Sequence, residues 1–200
     1  MDDQTSISVA GCRQSHAVLL SAIAGLTDAD VRRPSLLPDW SIGHVLTHIA
    51  RNADSVVRRL EGAMRDEIVD QYVGGPAGRA KEIEAGASRS AAELIDDVRR
   101  TNAAVDDICA RMSDEAWPRL TRGVTGEESP ASWAVFSRWR EVEVHHVDLG
   151  LGYLPKDWPV ALVETALPHA LEQLPSRADQ AALLAWVLRR GPAPELASAG

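Results

Sequence analysis

From about Ser6 to Gly25 the apolar positions Val9, Cys12, Leu19, Leu20 and Ile23, with His16 among them, recur at close to helical intervals. That period places them on one face of an α-helix, and Thr27-Asp-Ala-Asp30 then has the composition of a cap opening a short turn. Prolines punctuate Arg33 to Trp40 and predict a loop. Ser41 can then cap a helix with the stripe Ile42, Val45, Leu46, Ile49, Val56, Val57 and Leu60, ending near Gly62 to Arg65. Tyr72-Val-Gly-Gly-Pro-Ala-Gly78 carries too much glycine and proline for regular structure and is expected as a loop, with a helical segment from Ala80 to Gly86 after it. Ser90, with Glu93 three residues on, makes a capping box for a helix through Ala110 whose core face is Leu94, Val98, Val105 and Ile108. Ser113 to Gly126 reads as an irregular connection, either a short hairpin or a loop. Pro130 opens a helix with Trp133, Val135, Phe136, Trp139, Val142, Val144 and Val147, apolar on more than one face and so expected at the centre. Two further helices fit near Pro159 to Leu174 and Arg177 to Arg190, before a Gly/Pro/Ala tail expected to fray. Four long helices with periodic stripes predict a mainly all-α protein built as an antiparallel four-helix bundle.

Composition narrows the class. With 200 residues, 45% of them hydrophobic, the chain can bury a substantial core. The expected division is a metal-binding four-helix bundle over residues 1–152 and a reduced C-terminal segment of two helices and a tail over 153–200. No apolar run approaches the roughly 20 residues of a membrane span. The start Met1-Asp-Asp-Gln-Thr lacks the layout of a signal peptide, so a cytoplasmic home is expected. A net charge of −8 with no dense Lys/Arg cluster argues against nucleic acid as a partner, while small anionic substrates need only a local positive patch. Cys12 and Cys109 have neither metal-type spacing nor the numbers for a disulfide framework, and are expected as buried reduced thiols.

The candidate chemistry lies in Arg138-Trp-Arg-Glu-Val-Glu-Val-His-His-Val-Asp148 and its distant companion Asp39-Trp-Ser-Ile-Gly-His-Val-Leu-Thr-His48. Glu141 and His145 are four apart and project from one helical face, a metal-ligand spacing. His48, beside the stripe of the second long helix, is the natural third ligand, and three protein ligands leave an open position of the catalytic kind. Imidazole and carboxylate together fit zinc best, with iron, nickel and manganese open by ligand type. Asp148, three residues after His145, is placed to hold that ring from behind. Against this stands a blander reading, since a helical Glu and His at this spacing also form ordinary surface pairs. His44 and His146 fall off the ligand face, and His16 and His169 have no partner pattern. Arg138 and Arg140 read first as solvated helix charges, although Arg138 shares the Glu141 face and could bind an anionic substrate. Tyr72, in the glycine-rich loop, is a second candidate for substrate binding. The tryptophans read as packing residues first and site walls second.

Three stretches resemble one known family. They are Pro38-Asp-Trp-Ser-Ile-Gly-His-Val-Leu-Thr-His-Ile-Ala-Arg-Asn-Ala-Asp54, Gln71-Tyr-Val-Gly-Gly with Ile83-Glu-Ala-Gly-Ala following, and Arg140-Glu-Val-Glu-Val-His-His-Val-Asp-Leu-Gly150. Together they resemble the mycothiol-dependent maleylpyruvate isomerase family, whose N-terminal domain has the DinB-like four-helix fold, over most of residues 8–190. The last stretch is the more specific, and the first is shared more widely among DinB-like thiol-dependent enzymes. The resemblance implies zinc on His48, Glu141 and His145, the set that helical spacing also reaches. It further implies a catalytic arginine in Leu183-Leu-Ala-Trp-Val-Leu-Arg-Arg190, aligned here with Arg190, one residue from the equally placed Arg189. The chain departs from the family's isomerases in its C-terminal part, where about fifty residues after Gly150 replace a sizeable mixed α/β domain.

The function so implied is cis–trans isomerisation of maleylpyruvate to fumarylpyruvate by reversible addition of mycothiol, with zinc stabilising a thiolate or a substrate oxygen. Arg190 would pair with a substrate carboxylate. The implied partners are a small carboxylate substrate and a low-molecular-weight thiol, with no nucleic acid and no membrane, in a monomer or homodimer. Two alternatives stand beside it: a mycothiol S-transferase acting on another electrophile, which shares every ligand, and a non-catalytic metal-binding bundle.

Overall fold

The computed structural model describes residues 1–197. Polar caps set where its helices begin. The Asp2 carboxylate accepts from the Thr5 N–H at 2.7 Å at the head of α1 (Asp3–Ile23). Complete capping boxes open α2 (Asp28–Val31) from Thr27 and α3 (Ile42–Met64) from Ser41. α4 (Gly75–Gly86) begins earlier than its composition suggests. Gly74 and Gly75 take φ values of 75° and 61°, open only to glycine without strain, and Pro76 sits in the first turn, where its missing N–H leaves no bond unmade. The residues expected to forbid a helix there therefore start one. α5 (Ala91–Arg111) follows from the Ser90–Glu93 capping box. The connection after it holds a hairpin, β1 (Leu120–Arg122) antiparallel to β2 (Glu128–Pro130), with Thr121 opposite Ser129. α6 (Ala131–Asp148) comes next, then α7 (Val160–Arg177) and α8 (Gln180–Val187).

The expected four-helix bundle is formed by α1, α3, α5 and α6, with α3 against α5 and α6, and α1 against the same two. The helix directions are not strictly alternating. Gly43 lies beside Ala87 and Arg51 bonds Asp97, so α3 and α5 run the same way. His16 bonds Asp106 and the N-terminal amine bonds Asp114, so α1 opposes α5. α4 accounts for this, because it carries the chain back before α5 starts. Leu19, Ile23, Ile42, Val45, Leu46, Ile49, Leu94, Val98, Val142 and Leu149 fill one half of the interior. The other half also buries Ser15, His16, Asn52, Arg59, Asn102 and Arg138.

The chain divides into two units, residues 1–158 and 159–200. The first extends past the expected break at 152 because two later side chains are tied to Glu143 of α6. The Tyr153 hydroxyl donates to the Glu143 carboxylate, and Trp158 Nε1 donates to the Glu143 carbonyl at 3.2 Å. The second unit consists of α7 packed on α8 and a tail without regular structure, and the expectation of fraying falls partly on residues 198–200, which lie outside the described residues. Among the described residues no helix is long and apolar enough to cross a membrane.

Candidate metal centre

α3 and α6 run in opposite directions, and their facing stripes bring His48 against Glu141 and His145. His48 Nε2 lies 3.1 Å from Glu141 Oε2 and 2.9 Å from His145 Nε2, and the third edge of the triangle, Glu141 Oε2 to His145 Nε2, is 3.4 Å. Ligand atoms bonded at about 2.05 Å to an ion in a tetrahedral arrangement stand about 3.3 Å apart, so this triangle has the dimensions of a coordination face. Among the described residues these three form a group able to hold a metal ion.

The surroundings show what each ligand atom would have to do. Asp148 Oδ2 lies 2.8 Å from His145 Nδ1, which fixes that ring with Nε2 toward the triangle. Burial works against a charge on His145, but its hydrogen bonds with Asp148 and Glu141 outweigh it and raise the imidazole to about 9. Burial lowers His48 to about 4, against the opposing effect of the hydrogen bond its ring donates to Glu141. Glu141 is buried as well, yet the hydrogen bonds from His145 and His48 hold its carboxyl well below the usual range. His48 Nδ1 accepts from Arg79 Nη2 at 3.1 Å. The tautomer that would offer the Nε2 lone pair to an ion carries its own proton on Nδ1, the atom to which Arg79 donates here. The edge of Trp40 closes one side, its ring centroid 5.8 Å from that of His48.

The other expected site residues are placed differently. Arg138 is neither solvated nor open to a substrate, because it is fully buried and every nitrogen of its guanidinium is used. Nε donates to His16 Nε2 at 3.3 Å, Nη1 to the Ile49 carbonyl and Asn52 Oδ1 at 2.8 Å each, and Nη2 to Asn102 Oδ1 at 2.7 Å. His16, expected to lack partners, bridges Arg138 to Asp106, 3.1 Å from its Nδ1. Tyr72 is buried under Arg79, whose guanidinium lies 5.9 Å from the ring centroid, and it lines a cavity of about 220 Å³ with Asp70, Gln71, Gly75, Arg122, Gly123, Val124 and Gly126. Arg190 belongs to the second unit, three residues beyond the end of α8 and next to Arg189, which takes a left-handed φ of 58°. Arg79 was not foreseen, since it follows a stretch read as loop. Cys12 and Cys109 are free and buried, as expected.

Comparison with known proteins falls on the same residues. The family model of the mycothiol maleylpyruvate isomerase N-terminal domain matches residues 12–150, which contain the whole triangle and Asp148. The crystal structure of the mycothiol-dependent maleylpyruvate isomerase superposes with a TM-score of 0.80 at 25% identity, over 90% of this chain and 75% of that one. A mutant of the same enzyme does so at 24% identity with the same TM-score and coverage. YfiT from Bacillus subtilis, described as a probable metal-dependent hydrolase with an unusual four-helix bundle topology, shares the fold with a TM-score of 0.59 at 14% identity, over 76% of this chain and 87% of its own. No curated protein matches the chain. With the model covering the bundle from Cys12 to Gly150, this chain belongs to the mycothiol maleylpyruvate isomerase N-terminal domain family.

Proposed function

We propose that the chain isomerises maleylpyruvate to fumarylpyruvate, with zinc on His48, Glu141 and His145 and mycothiol as its thiol cofactor. The observation that carries this reading is the convergence of two imidazoles and one carboxylate inside the segment that the family model matches. Three ligands of this kind suit zinc and leave a position open, as catalytic zinc sites do. Bound there, zinc supplies a Lewis acid for a thiol or a substrate oxygen, and mycothiol supplies the nucleophile that adds to the cis double bond and leaves after rotation.

The chain's own residues prepare that chemistry. Asp148 holds the His145 ring in its ligating orientation. Glu141 brings one negative charge, and Trp40 walls the His48 side. Arg190 pairs with a substrate carboxylate and Tyr72 borders the substrate. The protein's thiols do not compete as nucleophiles, because burial pushes both up, Cys109 to about 12.

Substituting His48→Ala is expected to lower zinc from about one per chain to background and to abolish turnover. Full turnover by the zinc-free variant would contradict the proposal. Zinc-bound wild-type protein that joins mycothiol to electrophiles without isomerising maleylpyruvate would assign it to thiol transfer instead.

A further inference from the structure

Arg59 of α3 is 96% buried by its 4% exposure, yet among the described residues no hydrogen bond or ion pair engages its guanidinium, and its Nε is both sealed and unsatisfied. A buried cation without a partner weakens the fold that holds it, so such a group is retained where something outside the chain meets it. The charges that act on it are those of Tyr72, Glu127 and Glu141, the last a proposed metal ligand. Its position on α3 is specific. His48, Asn52, Ser55 and Arg59 follow one another at four-, three- and four-residue steps, which puts Arg59 on the His48 face about 16 Å further along the axis. Long helical side chains lean toward the N-terminus of their helix, which here is the direction of the triangle. The Tyr72 segment is fastened over the same stretch by Arg58 Nε to the Asp70 carbonyl at 3.1 Å and by Gln71 Nε2 to Ser55 Oγ at 3.4 Å. Arg79, which donates to His48 Nδ1, adds a second guanidinium beside Tyr72.

We propose that Arg59 binds a carboxylate of the substrate while the reacting end of that molecule lies at the metal centre, so that the enzyme selects dicarboxylates. This rests on the reading that the centre acts on a small carboxylate. Arg59 is distinct from Arg190, since it lies in the bundle itself and its role requires no part of the second unit.

The test is binding of maleate, a cis dicarboxylate, to the zinc-loaded full chain without thiol, by calorimetry and by thermal shift, with dimethyl maleate as the uncharged control. Wild type is expected to bind maleate and not the diester. R59M is expected to weaken maleate binding tenfold or more, R59K to fall between, and ligand-free R59M to melt at the wild-type temperature or above. A structural arginine would give the opposite pattern, with R59M melting several degrees lower and maleate affinity unchanged. That result, or a wild type that does not bind maleate, overturns the proposal. Because no turnover is read, a protein that binds maleate through Arg59 but fails to isomerise maleylpyruvate counts against the isomerase reading alone.

Discussion

Arg138 and Arg59 lie in one bundle, 0% and 4% exposed, and their surroundings differ completely. Around Arg138, α1, α3 and α5 each contribute an acceptor, and the donors of the guanidinium meet His16, Ile49, Asn52 and Asn102. Around Arg59 no acceptor comes within hydrogen-bonding distance among the described residues, and its Nε is left unsatisfied. Desolvation lowers the pKa of both, so the cost of burial is common to the two, and what differs is whether the chain offsets it. A matched buried cation fastens helices together, whereas an unmatched one makes no sense as a stabiliser and is better understood as a binding group. Arg138 also bonds the carbonyl of Ile49, the residue after His48, so the fastener ends where the ligand-bearing turn of α3 begins.

The contrast is sharpest in stability. Arg138→Met strands four acceptors and is expected to cost about 3–5 kcal/mol in denaturant unfolding, as breaking a buried charged network does, where Arg59→Met costs nothing. Equal losses for the two would erase the distinction. A milder change makes Arg138 resemble Arg59: Asn102→Leu removes the acceptor of Nη2 and is expected to cost about 1.5–3 kcal/mol, the range for a hydrogen bond to a charged group, read from the shift in unfolding midpoint at constant slope. The smallest effect concerns pH. His16 is surrounded by Asp106, Arg138, Arg13 and Cys12, and its burial, joined by the Arg138 and Arg13 charges and opposed by the bond and charge of Asp106, lowers its pKa. A folded-state value below the unfolded 6.5 means that the neutral ring contributes its stability above pH 6.5 and loses it as pH falls below that point. His16→Gln, which can still accept from Arg138, is expected to flatten the loss of stability below pH 6.5, and an unchanged profile would remove His16 from the acid response.

The same contrast explains what could be read from the amino-acid order. Ser41, Ser90 and Thr27 announce their helices locally, and the stripes from Ile42 to Leu60 and from Leu94 to Ile108 repeat at the helical period, so the bundle was legible. Glu141 and His145 are legible for the same reason, since their spacing is local, and His48 comes from its stripe and from the family resemblance. Arg138 was misread because its partners lie on three other helices, 36 to 122 residues away, and nothing near it in the chain marks a charged position as interior. The start of α4 was missed because Gly74, Gly75 and Pro76 carry the same composition whether they break a helix or open one. Arg79 fell with it.

The most direct test of the central claim is turnover of maleylpyruvate by metal-analysed protein with and without mycothiol, following the cis-to-trans change itself. The account predicts about one zinc per chain and isomerisation that requires the thiol. Protein that binds no metal, or that isomerises equally well without thiol, would contradict it.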